Sequence, residues 1–292
     1  MFPNFECSTI DTGEATIRVR YGGSGPPLLL VHGHPRTHVT WDRVATRLAR
    51  HQTVVCPDLR GYGASSKPPT TSDHEPYSKR AMARDGVSVM QHLGHERFAV
   101  AGHDRGGYVA QRLALDFPDR VTRLALMDIV PIGEALARCD ATFAQRWWHW
   151  FFLAQPADKP ERAILADPEA WYAIDRKYMS DEAWEDIRRA IHDPVTVHAM
   201  CEDYRAGLGI DRQNDDIDKR AGNKIVCPLL VLWAARDDLP VIYGDVLAVW
   251  RAWADDLRGY AIDGGHHLAE EAPEQTADAL HAFLTASDLL TD

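Results

Sequence analysis

Long apolar runs are missing from this chain of 292 residues, and no stretch approaches the roughly 18 residues that a membrane-spanning helix needs. An excess of positive charge is missing as well: 32 Lys and Arg stand against 43 Asp and Glu, a net charge of -11. That balance excludes an electrostatic partner such as nucleic acid or an anionic membrane surface, because both need surplus Lys and Arg. It also denies an anionic ligand any long-range attraction, so an anion site would have to be a local concentration of positive groups. Cysteine is sparse: Cys7, Cys56, Cys139, Cys201 and Cys227 are widely spaced and contain no CxxC pair. Such spacing fits reduced thiols and not a disulfide framework or a zinc site. The opening Met1-Phe2-Pro3-Asn4-Phe5-Glu6 lacks the basic and apolar regions of a secretory signal, so a cytoplasmic protein with a small-molecule partner is expected.

What is present is enough apolar material, 45% of residues, for a large core in one domain carrying an insertion. Short apolar runs recur at Pro27-Leu28-Leu29-Leu30-Val31, Thr53-Val54-Val55-Cys56, Phe98-Ala99-Val100, Leu124-Ala125-Leu126-Met127 and Pro228 to Trp233. Amphipathic segments separate them. Strands apolar throughout, alternating with helices, predict an α/β fold with a mainly parallel, eight-stranded sheet covered by helices on both faces. Ala15 to Tyr21 alternates instead, as an antiparallel edge strand would. Between Asp128 and Pro228 the rhythm breaks into helical spacing without a convincing strand. The expected organisation is therefore a core of residues 1–130 and 222–292 with a helical cap over 131–221. Its helices are expected near Thr142 to Leu153, Pro168 to Tyr178, Asp181 to Ile191 and Pro194 to Ala206, and Asp211 to Lys219 is expected to be a solvated return to the core.

The most informative residues are Gly102-His103-Asp104-Arg105-Gly106. They follow the run Arg97 to Ala101 and precede a segment with helical spacing, Gly107 to Asp116, which is the strand-turn-helix context of a nucleophile elbow. Asp104 occupies the place that serine or cysteine usually takes. A carboxylate there cannot perform serine-type acyl transfer, but it can displace a leaving group from an sp³ carbon and hold that carbon as an ester. The alternative is an Asp that only caps the following helix.

An ester needs a base to deliver water, and Asp263-Gly264-Gly265-His266-His267-Leu268 places His266, with His267 as fallback, in a loop at the right point in chain order. Two carboxylates compete to orient that imidazole: Asp128 at the end of Leu124 to Met127, and Asp237 beyond Trp233. Spacing does not choose between them. Val31-His32-Gly33-His34-Pro35 sits where a strand-end loop supplies a backbone N–H to an oxyanion hole, with the amides of His34 and Arg105 as donors.

These motifs resemble the fluoroacetate and haloacetate dehalogenases, α/β-hydrolases with a helical cap. The resemblance runs along nearly the whole chain, through Gly102 to Gly107, Asp128-Ile129-Val130-Pro131, Trp148-His149-Trp150, Glu202 to Gly207 and Gly264-Gly265-His266. It implies Asp104 as nucleophile, His266 as base, Asp128 as the orienting acid, and His149, Trp150 and Tyr204 as the cradle of the leaving halide. It implies neither metal nor organic cofactor, and by analogy a homodimer. The family binds the substrate carboxylate with two arginines; here the first is Arg105, and Tyr108 stands in place of the second. The expected activity is hydrolysis of a short 2-haloalkanoate to a 2-hydroxy acid and halide. The alternatives are an epoxide hydrolase using the same aspartate, with Tyr204 protonating the oxide, and a ligand-binding homologue without turnover.

Overall fold

In the computed structural model, residues 1–286 are described. Eight strands form one mixed sheet: β1 (Glu6–Asp11), β2 (Thr16–Gly23), β3 (Pro27–Val31), β4 (Thr53–Pro57), β5 (Phe98–His103), β6 (Val121–Met127), β7 (Leu229–Ala234) and β8 (Leu257–Ile262), in the spatial order β1-β2-β4-β3-β5-β6-β7-β8. β2 runs antiparallel to both its neighbours, β1 and β4, and from β4 to β8 every neighbour is parallel. The apolar runs become the central strands because both faces are covered: β5 is buried at every position, and β3 and β4 at all but the first. One apolar cluster fills each face, with Leu29, Val31, Val100, Leu124 and Val231 on one side and Leu28, Leu30, Ala101, Met127 and Leu232 on the other.

The alternating segment from Ala15 is not the edge. β1 pairs outside it, and its polar sequence Glu-Cys-Ser-Thr-Ile-Asp, buried only at Ile10, hides it from any hydrophobicity argument. The strand order reverses around β3, whose successor β4 lies on one side and whose other neighbour is β5. Such a reversal opens a crevice beyond the carboxyl ends of the strands, and the cap sits between β6 and β7 in the chain.

The cap differs from expectation in four places. The segment 142–153 is two helices, Ala141–Arg146 and Trp148–Leu153, broken at Trp147. Helix Pro168–Tyr172 stops at Ala173, which adopts a left-handed φ of 44°, well short of Tyr178. The charged stretch at 211–219 is not a solvated return: it lies in helix Arg212–Ala221, with Asp211, Asn214, Asp215 and Asp218 buried. Their charges are met internally, Asp218 by Arg112 at 2.5 Å and Asp215 by the amide of Gly133 at 2.9 Å. An additional helix, Lys159–Ala166, begins beside Pro160. No described helix is long and apolar enough to cross a membrane, and all five cysteines are free.

Candidate active site

Asp104 sits between β5 and helix Arg105–Asp116 with φ 49° and ψ -126°. A non-glycine residue held there is strained, and that strain is stored where a side chain must stand clear of the strand and helix that flank it. The flanking glycines serve close approach, not the turn itself, since neither has positive φ. A Cβ on Gly106 would lie 2.2 Å from the carbonyl oxygen of His32, and one on Gly102 would lie 2.3 Å from that of Gly106. Asp104 does not cap the helix with its side chain. Its Oδ1 instead accepts the backbone N–H of His34 at 2.6 Å, and the amide of Arg105 also donates to its carboxylate.

His266, after β8, turns Nε2 toward Asp104 Oδ2 at 3.7 Å. Its Nδ1 meets both candidate acids, Asp128 Oδ2 at 2.7 Å and Asp237 Oδ2 at 3.0 Å. The two carboxylates that spacing offered as rivals therefore both reach the ring, and neither is a bystander. Asp128 is anchored further, with φ 56° and with Oδ1 accepting the N–H of Ala234 at 2.9 Å. The His267 ring is close to those of His103 and His266 but pairs with no carboxylate; only its backbone N–H reaches one, that of Glu271.

Electrostatics follow from this packing. Burial alone would lower the basicity of His266, but the carboxylates of Asp104, Asp128 and Asp237, which accept from its ring, outweigh it and push its pKa well up. Burial would raise the carboxyl of Asp104, yet the hydrogen bond and charge of His266 hold it well below the usual range. Asp128, desolvated and beside Asp237, is pushed up to about 7 despite His266. The resting arrangement is thus an imidazolium–carboxylate pair.

A cavity of about 300 Å³ opens above Asp104, at the small end of the range for ligand sites. The cap roofs it with His149, Trp150, Tyr172 and Tyr204, while His34, Tyr108 and His266 line its core side. Trp150 is braced by Trp147, stacked at 5.3 Å, and His149 lies 6.1 Å from Tyr204. The Trp150 indole, the Tyr204 and Tyr108 hydroxyls and the His149 ring have no hydrogen-bond partner among the described residues, while all four residues face the cavity. Burial lowers the His149 pKa to about 4, leaving it neutral near pH 7.

Arg105 is placed differently from a simple pocket wall. Its guanidinium is fully buried, bound by Nη2 to Asp203 Oδ1 at 2.9 Å and to the Asp203 carbonyl at 2.8 Å, and by Nε to Oδ2 at 3.2 Å. Nη1 alone has no partner. The guanidinium carbon lies 4.2 Å from the Tyr204 ring centroid and 5.5 and 5.8 Å from those of Tyr108 and Trp150. Several cavity residues escaped the sequence reading, Arg146 and Trp147 among them. Tyr172 lies where a longer helix was expected, and Asp238 forms an ion pair with Arg146 across the mouth. Neither stands in a motif, so only the fold reveals them. Two side-chain groups could offer three ligands to a metal ion, His103, His266 and His267, or Asp128, Asp237 and His266, and both would consume His266.

Comparison with known proteins agrees with this geometry. The alpha/beta hydrolase fold family matches residues 26–273. A fluoroacetate dehalogenase from Burkholderia sp is 42% identical, over 98% of this chain and 95% of its own length. A soluble epoxide hydrolase from Corynebacterium sp. (strain C12) is 32% identical over 89% of this chain and 91% of its own length. Among solved structures, an α/β-hydrolase candidate from Nostoc sp PCC 7120 superposes with a TM-score of 0.95 at 47% identity, covering 98% of this chain and 100% of that one. A mutant epoxide-hydrolase candidate from Pseudomonas aeruginosa with bound MFA superposes with a TM-score of 0.91 at 46% identity, covering 97% of each. The chain belongs to the α/β-hydrolase family, as a hydrolase related along almost its whole length to a fluoroacetate dehalogenase.

Proposed function

We propose that the protein is a hydrolytic dehalogenase of short 2-haloalkanoates that works through an ester on Asp104. The observation that carries this reading is the state of that carboxylate: strained into the open, fixed at Oδ1 by the His34 amide, and facing His266 Nε2 from Oδ2. Asp104 attacks the halogen-bearing carbon, the new C–O bond forms, and the C–X bond breaks with its electron pair leaving as halide. His149, the Trp150 indole and the Tyr204 hydroxyl supply the donors that replace the halide's water, each contributing about 3 kcal/mol to developing charge. Arg105 does not line the cavity itself; its unpartnered Nη1, in a guanidinium packed against the rings of Tyr108, Trp150 and Tyr204, is the charged donor assigned to the substrate carboxylate.

Forming the ester removes the negative charge that stabilised protonated His266, so its pKa falls, the imidazolium gives up its proton to solvent, and the neutral ring can then take a proton from water. Hydroxide adds to Cγ of Asp104, and the amides of His34 and Arg105 hold the oxyanion. Collapse releases the 2-hydroxy acid, its alkoxide taking the proton from His266, and the carboxyl proton left on Asp104 passes to His266 to restore the imidazolium–carboxylate pair. Each turnover thus releases one halide, one hydroxy acid and one proton, the proton going to solvent.

An epoxide hydrolase is the second reading, favoured by the unpartnered hydroxyls of Tyr204 and Tyr108 in the same cavity. Incubation with fluoroacetate, chloroacetate and styrene oxide, scoring halide, hydroxy acid and diol, separates the two: halide with hydroxy acid is expected, and diol without halide would reverse the order. In ¹⁸O water, the first turnover should give unlabelled product, because the hydroxyl oxygen comes from Asp104. A homodimer is part of the same proposal, and light scattering of the purified protein tests it.

A further inference from the structure

Resting on that two-step reading, we propose that Asp237 is a second positioning residue and that Asp128 and Asp237 act as one acid pair sharing a single proton, with His266 Nδ1 as their common partner. The geometry carries this. An imidazole nitrogen has one hydrogen, yet two carboxylate oxygens approach it at 2.7 and 3.0 Å. Two full negative charges so close would repel, and the ordinary resolution in proteins is that one proton is held between them. The two acids also differ in surroundings: Asp128 is 2% exposed and anchored by the Ala234 amide, whereas Asp237 reaches the cavity with its side chain 25% exposed. Asp128 is therefore the member that keeps the proton and Asp237 the one that stays ionised. The pKa of Asp128, raised to about 7 by burial and by Asp237 against the lowering influence of His266, agrees.

The pair sets the range in which His266 works. Below neutrality the pair carries one negative charge; as it loses its proton it carries two and holds the imidazolium more tightly. Other groups face this cluster. Asp104 and His103 come from the elbow, His267 from the same loop, His149 from the cap, and Asp238, itself paired with Arg146, lies beside Asp237. His103 and His149 are held neutral by burial, down to about 3 and about 4, and burial likewise pushes His267 well below the usual range, so none of the three titrates near pH 7.

The test follows the His266 ring by ¹⁵N-histidine NMR across pH and, separately, the rate of ester hydrolysis in a single turnover. The wild-type ring is expected to show an added inflection near pH 7 as the pair loses its proton. In Asp237→Asn, whose half-exposed site tolerates the change, that inflection should vanish, and the His266 pKa should fall by about one unit because a neighbouring charge is gone. The midpoint of ester hydrolysis should shift to lower pH in parallel, with its plateau reduced no more than about tenfold because Asp128 still orients the ring. Asp128→Asn should lose roughly 10⁴-fold.

An Asp237→Asn titration and pH profile that match wild type would overturn the proposal. So would ester hydrolysis that a chelator abolishes and a divalent ion restores, which would put a cation where the proton is assigned. Wild-type protein that releases no halide and forms no ester, while still showing the NMR inflection, would refute the dehalogenase reading and leave the acid pair standing.

Discussion

The two halves of the cavity are built on opposite plans. The carboxylate–imidazole cluster of the core half is charged and saturated: Asp104, Asp128, Asp237 and His266 spend their polar atoms on one another or on backbone amides. The cap half is neutral and unspent: His149, Trp150 and Tyr204 aim donors at the same space and have no protein partner among the described residues. Saturated groups are held rigidly and can perform chemistry without reorganising. Unspent donors cost stability, and they are kept only where something else is to be bound. On the proposed reaction, bond making falls to the core and reception of the leaving group to the cap.

Asp104→Asn breaks the core half outright. Halide release should fall by at least roughly 10⁴-fold with the fold retained, as judged by circular dichroism; a variant with residual turnover near wild type would move the nucleophile elsewhere. Removing one cap donor is a smaller injury. Trp150→Phe or Tyr204→Phe should lower kcat for halide release by about 100-fold, while a pre-formed Asp104 ester is hydrolysed at nearly the wild-type rate. Equal losses in both steps would end the assignment of separate tasks to the two halves.

Tyr108→Arg sharpens the comparison from the other direction, by giving the wall a charge it lacks. A second charged hydrogen bond is worth about 1.5–3 kcal/mol, so KM for a 2-haloalkanoate should drop roughly 10- to 100-fold with little change in kcat. An unchanged KM would show that the substrate's carboxylate does not lie against this wall.

The smallest effect concerns stability. His34, His103 and His149 are buried and their pKa values are lowered to about 3, about 3 and about 4. Unfolded histidine binds its proton near pH 6.5, so between pH 6.5 and 3 the unfolded chain holds more protons than the folded one. These residues contribute stability in full above pH 6.5, and it drains away as pH falls through that window. His266, raised by its carboxylates, opposes this by stabilising the fold at low pH and losing that contribution as pH rises. Urea midpoints should fall between pH 6.5 and 4, and the fall should be shallower in His149→Gln.

What could be read from sequence was local. The elbow, the Gly-Gly-His loop and the buried strands each announce themselves within a few residues, because an apolar run of four to six residues between turns has few uses other than a covered strand. β1 escaped because an edge strand buries only Ile10. The stretch 211–219 misled because charge was taken for solvation, whereas Asp215 and Asp218 are buried against an amide and an arginine that lie far away in the chain. The double claim on His266 was invisible for the same reason: spacing offered two acids as rivals, and only the parallel neighbours β6 and β7 bring both to one nitrogen.

The buried partnership of Arg105 and Asp203 has a consequence for how such enzymes change over time. Asp203 belongs to the cap, yet it binds three core residues at once: Arg105, Lys79 and, through its hydroxyl at 2.6 Å, Tyr62. Gly207 completes the seam, because any side chain there would press on the Arg105 guanidinium, 2.7 Å from an added Cβ. The cap is therefore not an interchangeable module. A cap transplanted from a relative without an aspartate and a glycine at these two points would strand two cations in the interior, so new specificities must arise by editing this roof in place.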